Sequence, residues 1–189
     1  MEPIGVVDIG SNSVRLVVYE GAVRAPTPVF NEKILCGLGR SVATTGSLGV
    51  EAVERALAAL ARFRVIAHIL SVKNIRVIAT AAVRDAQNGR DFIERGEKAI
   101  GTKIDVLSGE TEARLAAQGI MMGFVDADGV AGDLGGGSLE LIDIAQDRLN
   151  DAATLPLGGL ALQDLAHKSL KRADRIVREA IDAVPQLAT

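Results

Sequence analysis

The stretch Asp133-Leu-Gly-Gly-Gly-Ser-Leu-Glu-Leu141 decides the fold, because the same pattern occurs earlier in the chain as Asp8-Ile-Gly-Ser-Asn-Ser-Val-Arg-Leu16. At an offset of 125 residues, the two stretches match at the aspartate, the first glycine, the serine and the final leucine. Apolar residues flank both turns, so each stretch predicts a β-hairpin closed by glycine and small polar residues. The offset is too long for a solenoid repeat and predicts two related domains.

The composition of both hairpins favours phosphate binding. Glycines allow a turn to approach a phosphate closely, so that successive backbone N–H groups can surround its oxygens. An aspartate at the end of a strand can hold Mg²⁺ through its oxygens. Two such hairpins facing one another would bind a polyphosphate from both sides. The alternative for either hairpin alone is an ordinary surface turn without a ligand.

Strands and helices alternate outward from these hairpins, which predicts a mixed α/β fold with helical crossovers. The clearest helix is Val50 to Leu70, where apolar residues recur every three or four positions. Ser108 is expected to cap a helix that runs to about Met122. A composition shift at Gly123 to Gly129 places the domain boundary after residue 125, which gives domains 1–125 and 126–189.

Composition excludes several functions for this chain of 189 residues. It has four Phe, one Tyr and no Trp, too few aromatics for a base-stacking platform, and its net charge of −3 gives no attraction to nucleic acid. Its single cysteine, Cys36, excludes an internal disulfide and fits a reducing cytoplasm. No apolar run is long enough to span a membrane, so we expect a cytoplasmic protein with no nucleic-acid or membrane partner.

At four ordered segments the chain resembles the ASKHA superfamily, and within it the exopolyphosphatase / guanosine pentaphosphate phosphohydrolase family. The segments are the two hairpins, Thr80-Ala-Ala-Val-Arg-Asp-Ala-Gln-Asn-Gly89 and Ser108-Gly-Glu-Thr-Glu-Ala-Arg-Leu115, with Leu155-Pro-Leu-Gly158 as a fifth. The resemblance implies a ribonuclease H-like mixed β-sheet with helices on both faces. It also implies one full domain followed by the opening part of a second related domain.

The resemblance implies roles for individual residues. Glu112 would be the catalytic carboxylate that activates the attacking water, and Asp8, Asp133 and Glu140 would hold Mg²⁺ or another divalent cation. The expected phosphate-binding residues are Ser11, Asn12, Ser13, Arg84, Gly135, Gly136, Gly137 and Ser138.

Each charged candidate also has a purely structural interpretation. Glu112 could simply stabilise the N-terminus of its helix. Arg84 could form a surface ion pair with Asp85 or Asp91. Glu140 alternates with leucines, so it could face solvent on a half-buried strand.

The implied reaction is hydrolysis of a terminal phosphoanhydride bond, with processive release of phosphate from inorganic polyphosphate or conversion of guanosine pentaphosphate to tetraphosphate. A homodimer is expected. Two alternatives remain: an ASKHA-type ATPase or sugar kinase, and a truncated non-catalytic fragment that binds polyphosphate or a partner. Thr111 stands where the family usually has a second glutamate, and Gly159 stands where an arginine is common. The second domain is expected to be incomplete.

Overall fold

The computed structural model describes residues 2–146 and 148–184, which form eight β-strands and seven α-helices. The strands are β1 (Ile4–Ile9), β2 (Ser13–Tyr19), β3 (Pro28–Leu35), β4 (Asn74–Ala79), β5 (Asp105–Val106), β6 (Gly129–Leu134), β7 (Leu139–Ala145) and β8 (Arg148–Leu155). The helices are α1 (Val42–Thr45), α2 (Val50–Ile69), α3 (Ala81–Asp85), α4 (Gly89–Ile100), α5 (Gly109–Gly123), α6 (Gly159–Ala166) and α7 (Leu170–Asp182). Two compact units result, the first ending at Val106 and the second beginning at Leu107.

The first unit is built on a five-stranded mixed sheet in the order β3-β2-β1-β4-β5. The first three strands pair antiparallel, and β4 and β5 join them in parallel. Every second residue of β1 and β2 is buried, as expected for strands with one face on a core. Helix α2 buries seven residues, among them Leu60 and Phe63. Because β1 and β4 are parallel, the segments that follow them both lie at the carboxyl end of these two strands.

The second unit contains a three-stranded antiparallel sheet in the order β6-β7-β8. Helix α5 packs against β7 and β8, and its buried Ala113 and Ala117 form a small core with Ile142 and Ile144. Strand β6 pairs with β7 alone among the described residues, and five of its six residues are exposed. Helix α7 contacts α6 and has no buried residue.

The division between the units lies before α5, whereas the sequence led us to place it after that helix. The reason is packing, because the apolar face of α5 covers the second sheet. The stretch from Gly37 to Gly49 carries four glycines, a composition typical of a loop, yet it contains the short helix α1. Helix α6 is likewise not predicted by the sequence. The other predicted helices and strands are present, with bounds that shift by a few residues.

Among the described residues, no helix combines the length and the apolar character needed to cross a membrane.

Candidate phosphate-binding site

The turn between β1 and β2, which carries the predicted phosphate-binding residues, is a tight hairpin turn. The Gly10 backbone N–H donates to the Ser13 carbonyl oxygen at 3.0 Å, which closes a tight turn over Ser11 and Asn12. Ser11 is buried and Asn12 is exposed. Asp8 lies two residues before Gly10 and is paired with Arg15 in the hairpin register.

The turn between β6 and β7 repeats this geometry at the predicted offset. The Gly135 N–H donates to the Ser138 carbonyl oxygen at 2.9 Å, and Asp133 is paired with Glu140 as Asp8 is with Arg15. The equivalent residues therefore make the same turn hydrogen bond in both units. The structure confirms the repeated hairpin inferred from the sequence.

A glycine from the segment after the third strand of each sheet supports each turn. In the first unit, the Gly39 N–H donates to the Ser11 carbonyl at 2.7 Å, and a Cβ at Gly39 would lie 2.6 Å from the Ser11 Cβ. In the second unit, a Cβ at Gly158 would collide with the backbone of Gly136 and Gly137. Both contacts require glycine, because any side chain would displace the turn.

Helix α6 begins directly on the second turn. The N–H groups of Leu160 and Ala161 both donate to the Gly136 carbonyl, at 2.9 and 3.1 Å. These bonds hold the Gly135-Gly136-Gly137 backbone in place before any ligand binds. The fifth segment of the resemblance therefore has a clear structural role, which is to fix the glycine turn.

In the second unit, the predicted metal-binding carboxylates lie side by side across the sheet. Asp133, Glu140 and Thr154 are neighbours on three adjacent strands. Gly109, at the first turn of α5, packs against Thr154, with a Cβ position only 2.6 Å from the Thr154 Oγ1. The N-terminal turn of α5, which carries Glu112, is thereby fixed against Thr154, in the same cross-strand row as Glu140 and Asp133.

Local bonds explain why α5 begins at this position. Ser108 is the N-cap, and its side chain accepts a hydrogen bond from the Thr111 N–H at 3.2 Å. The Glu112 N–H donates to the Ser108 carbonyl at 2.9 Å. The predicted cap is confirmed, and Glu112 is half-buried within the first turns.

Glu140 is buried, with 1% of its surface exposed. The interpretation that it faces solvent on a half-buried strand is therefore wrong. The alternation with leucines was read correctly, but Glu140 and the buried Ile142 lie on the face that packs toward α5. A buried carboxylate is costly unless charge or hydrogen bonds compensate it, and a bound cation is one such compensation.

Arg84 lies at the sheet edge that also carries the first turn. Thr80 follows β4, its N–H donates to the Ile9 carbonyl at 3.2 Å, and the Arg84 N–H donates to the Thr80 carbonyl at 3.1 Å. The Arg84 Nε forms an ion pair with the Asp85 Oδ1 at 3.0 Å. This ion pair supports the purely structural interpretation of Arg84. Phosphate binding by Arg84 stays a prediction.

The metal site stays a prediction as well. Within residues 2–146 and 148–184, no three His, Cys, Asp or Glu side chains are grouped so as to hold an ion. Asp133 and Glu140 nevertheless supply the oxygen ligands that Mg²⁺ prefers. Mg²⁺ commonly uses one or two carboxylates and completes its shell with water and substrate phosphates. The donor set of the second unit fits Mg²⁺ on these terms.

These features define an α/β protein with glycine turns at its strand ends, a class suited to phosphate binding. The model of the Ppx/GppA phosphatase family matches residues 16–188, and the chain belongs to this family. Exopolyphosphatase 1 of Mycobacterium tuberculosis is 31% identical over 158 residues, covering 82% of this chain and 46% of the relative. The Mycobacterium leprae protein of that name is 33% identical over 159 residues, covering 82% and 47%. The chain therefore spans about half the length of these curated relatives.

Solved structures confirm the fold. An exopolyphosphatase-like protein superposes with a TM-score of 0.90 at 25% identity, over 98% of this chain and 62% of the other. An exopolyphosphatase from Cytophaga hutchinsonii gives a TM-score of 0.83 at 28% identity, over 98% and 64%. The ethanolamine utilization protein EutJ from Carboxydothermus hydrogenoformans, at 16% identity and a TM-score of 0.52, shares the fold alone. The family and the mixed α/β fold of ASKHA type inferred from the sequence are confirmed.

Proposed function

We propose that this chain carries the phosphate-binding and water-activating groups of a phosphoanhydride hydrolase that acts on inorganic polyphosphate, with guanosine pentaphosphate as a second substrate. One observation carries the proposal: the N-terminal turn of α5 packs on the sheet at the level of Asp133 and Glu140, beside a glycine turn. The relatives named exopolyphosphatase 1 support polyphosphate as the substrate.

The reaction requires a positioned water, an in-line approach and neutralisation of charge on the transferring phosphoryl group. In our proposal the Glu112 carboxylate accepts a proton from the attacking water and orients it toward the terminal phosphorus. The N–H groups of the Gly135–Ser138 turn donate to phosphate oxygens. The bridging oxygen of the next phosphate leaves with the electron pair of the broken P–O bond.

Mg²⁺ bound through Asp133 and Glu140 would neutralise negative charge on the phosphates. The metal-binding role of Asp8 stays a prediction from the sequence. The chain's own part is to hold these carboxylates in place through the hairpin register and the small core beneath α5. A homodimer and a cytoplasmic location are further parts of the proposal.

The test is phosphate release from medium-chain polyphosphate and from guanosine pentaphosphate by wild type and by Glu112→Gln. Loss of a general base lowers kcat by about a hundredfold or more, with KM little changed. Glu110→Gln is the matched control, because Glu110 is an exposed glutamate in the first turn of the same helix.

Equal rates for wild type and Glu112→Gln would overturn the role of Glu112. A wild-type chain that binds polyphosphate without releasing phosphate would instead be a binding module, the alternative retained from the sequence.

A further inference from the structure

The segment Cys36–Arg40, which follows β3, is fixed on the Gly10–Ser13 turn by three backbone hydrogen bonds. The N–H groups of Cys36 and Gly37 both donate to the Asn12 carbonyl, at 3.0 and 2.9 Å, and Gly39 donates to the Ser11 carbonyl at 2.7 Å. This segment is therefore part of the turn's immediate surroundings. Neither hairpin motif includes it.

Arg40 adds a cation to the segment that supports this turn. Its side chain folds back over Gly37, so that a Cβ at Gly37 would lie 3.1 Å from the Arg40 Nε. Gly37 has a φ of 68°, a conformation that disfavours any side chain there, and the Arg40 side chain lies against the place that a Cβ would take. Arg40 is thus held over the residue whose N–H binds Asn12.

The guanidinium of Arg40 is exposed, and it has no ion pair or side-chain hydrogen bond with the part of the chain that the structure describes. Some arginines of the first unit have protein partners, since Arg55 donates to the Cys36 carbonyl at 2.9 Å and Arg62 to Glu32 at 2.8 Å. What sets Arg40 apart from the exposed Arg24 is its position in the segment that is bonded to the turn. An arginine fork that is positioned but has no protein acceptor is suited to bind an anion from solution.

The equivalent segment of the second unit lacks this arginine. Leu38-Gly39-Arg40 and Leu157-Gly158-Gly159 occupy the same place, a buried leucine followed by the glycine that contacts the turn. The next residue is an arginine in the first unit and a glycine in the second. The cation next to the supporting glycine is therefore a feature of the first turn only.

We propose that Arg40 is a phosphate-binding residue, which donates to an oxygen of a phosphate group held at the Gly10–Ser13 turn. The ligand class is an inorganic phosphoanhydride chain, and this inference rests on the proposed function. With a net charge of −3, the chain as a whole repels such a polyanion. A local guanidinium overcomes this repulsion by charge-assisted, bidentate hydrogen bonding.

The experiment measures binding of medium-chain polyphosphate, and of inorganic pyrophosphate, to the full chain by calorimetry, together with KM and kcat for phosphate release. Arg40→Gln is expected to weaken binding and raise KM by about tenfold or more, as for loss of a hydrogen bond to a charged group, with kcat little changed. Arg40→Lys keeps the charge but loses the planar guanidinium. Its affinity and KM should lie between those of wild type and Arg40→Gln.

Arg24→Gln is the matched control. Arg24 is exposed in the connection from β2 to β3, at the opposite end of these strands from the turn, so the same charge change there should leave binding within twofold of wild type. Equal affinity for Arg40→Gln and Arg24→Gln overturns the inference, whatever Glu112→Gln does. If the wild type releases no phosphate, the proposed function fails, while calorimetry still decides the role of Arg40. If Arg40→Gln unfolds at a lower temperature than wild type, its affinity is measured well below that temperature. An affinity equal to that of wild type there overturns the proposed role of Arg40.

Discussion

Two adjacent glycines of the second unit differ sharply in the space around them. A methyl group at Gly158 would collide with the backbone of the Gly136–Ser138 turn, whereas one at Gly159 would have no atom within 4 Å. Gly158→Ala must displace the turn and is expected to lower the free energy of unfolding by about 1–3 kcal/mol, typical of overpacking, and to weaken polyphosphate binding. Gly159→Ala should leave binding unchanged.

Urea unfolding and calorimetry on both variants check this prediction. If Gly158→Ala and Gly159→Ala behave alike, the turn adapts to the methyl group and the close contact has no functional importance.

At the residue scale, the sequence predicts whatever local chemistry determines. The Gly10 and Gly135 turns and the Ser108 cap depend on residues within a few positions of one another, and all are confirmed. The burial of Glu140 depends on which face of β7 the helix α5 covers, and alternation along a strand does not specify the covered face. The need for glycine at position 39 comes from its contact with the Gly10–Ser13 turn, which is distant in sequence. The composition of the segment around Gly39 does not reveal this contact.

At the scale of the elements, a glutamate near the end of α4 holds the segment that leads into strand β5. Glu97 accepts hydrogen bonds from the Lys103 ammonium at 3.0 Å and from the Ile104 N–H at 3.2 Å. The bond from Lys103, and then that from Ile104, lowers the pKa of Glu97. A carboxylate whose pKa falls on folding stabilises the protein above its unfolded pKa, and this stabilisation is lost as the pH falls through the folded pKa.

Glu97→Gln should therefore lower the urea midpoint at pH 7, and its difference from wild type should shrink below about pH 4.3, the ordinary pKa of glutamate. Glu94→Gln on the same helix, which removes a surface pair with Arg90, should have a smaller effect. A difference between Glu97→Gln and wild type that stays constant from pH 7 to pH 3 would contradict this assignment.

Most elements were predictable because their apolar periodicity is strong, as in α2 and in strands β1, β2 and β7. Helices α1 and α6 were not predicted, because both are short and begin in glycine-rich segments. The assignment of α5 to a unit could not come from its own pattern, since an amphipathic helix does not specify which sheet it covers.

On the scale of the whole molecule, the two units differ in how completely their sheets are covered. Strand β1 has neighbours on both sides and alternates buried with half-buried residues, whereas its counterpart β6 pairs only with β7 in the described part of the chain. Helix α2 buries seven residues, and the amphipathic helix α7 buries none. An unpaired edge next to exposed Val130 and Leu134 favours pairing with another chain.

We expect the chain to self-associate through β6, and Val130→Lys to reduce this association, since a charge on an edge strand opposes pairing. Val65→Lys on α2 is the control, because Val65 has a similar exposure, 58% against 54% for Val130, and lies on no strand edge. Sedimentation velocity over a range of concentrations measures the effect. Equal association of both variants would rule out β6 as the contact.

The supporting glycines also determine when the Gly10–Ser13 and Gly135–Ser138 turns can take their final shape during synthesis of the chain. An isolated β-hairpin forms within microseconds, but the Gly10–Ser13 turn receives the Gly39 hydrogen bond only after β3 has been made. The Gly135–Ser138 turn waits in the same way for Gly158, beyond β8. As the chain leaves the ribosome, each turn therefore completes its shape with the third strand of its sheet, and a nascent hairpin alone presents an unsupported loop.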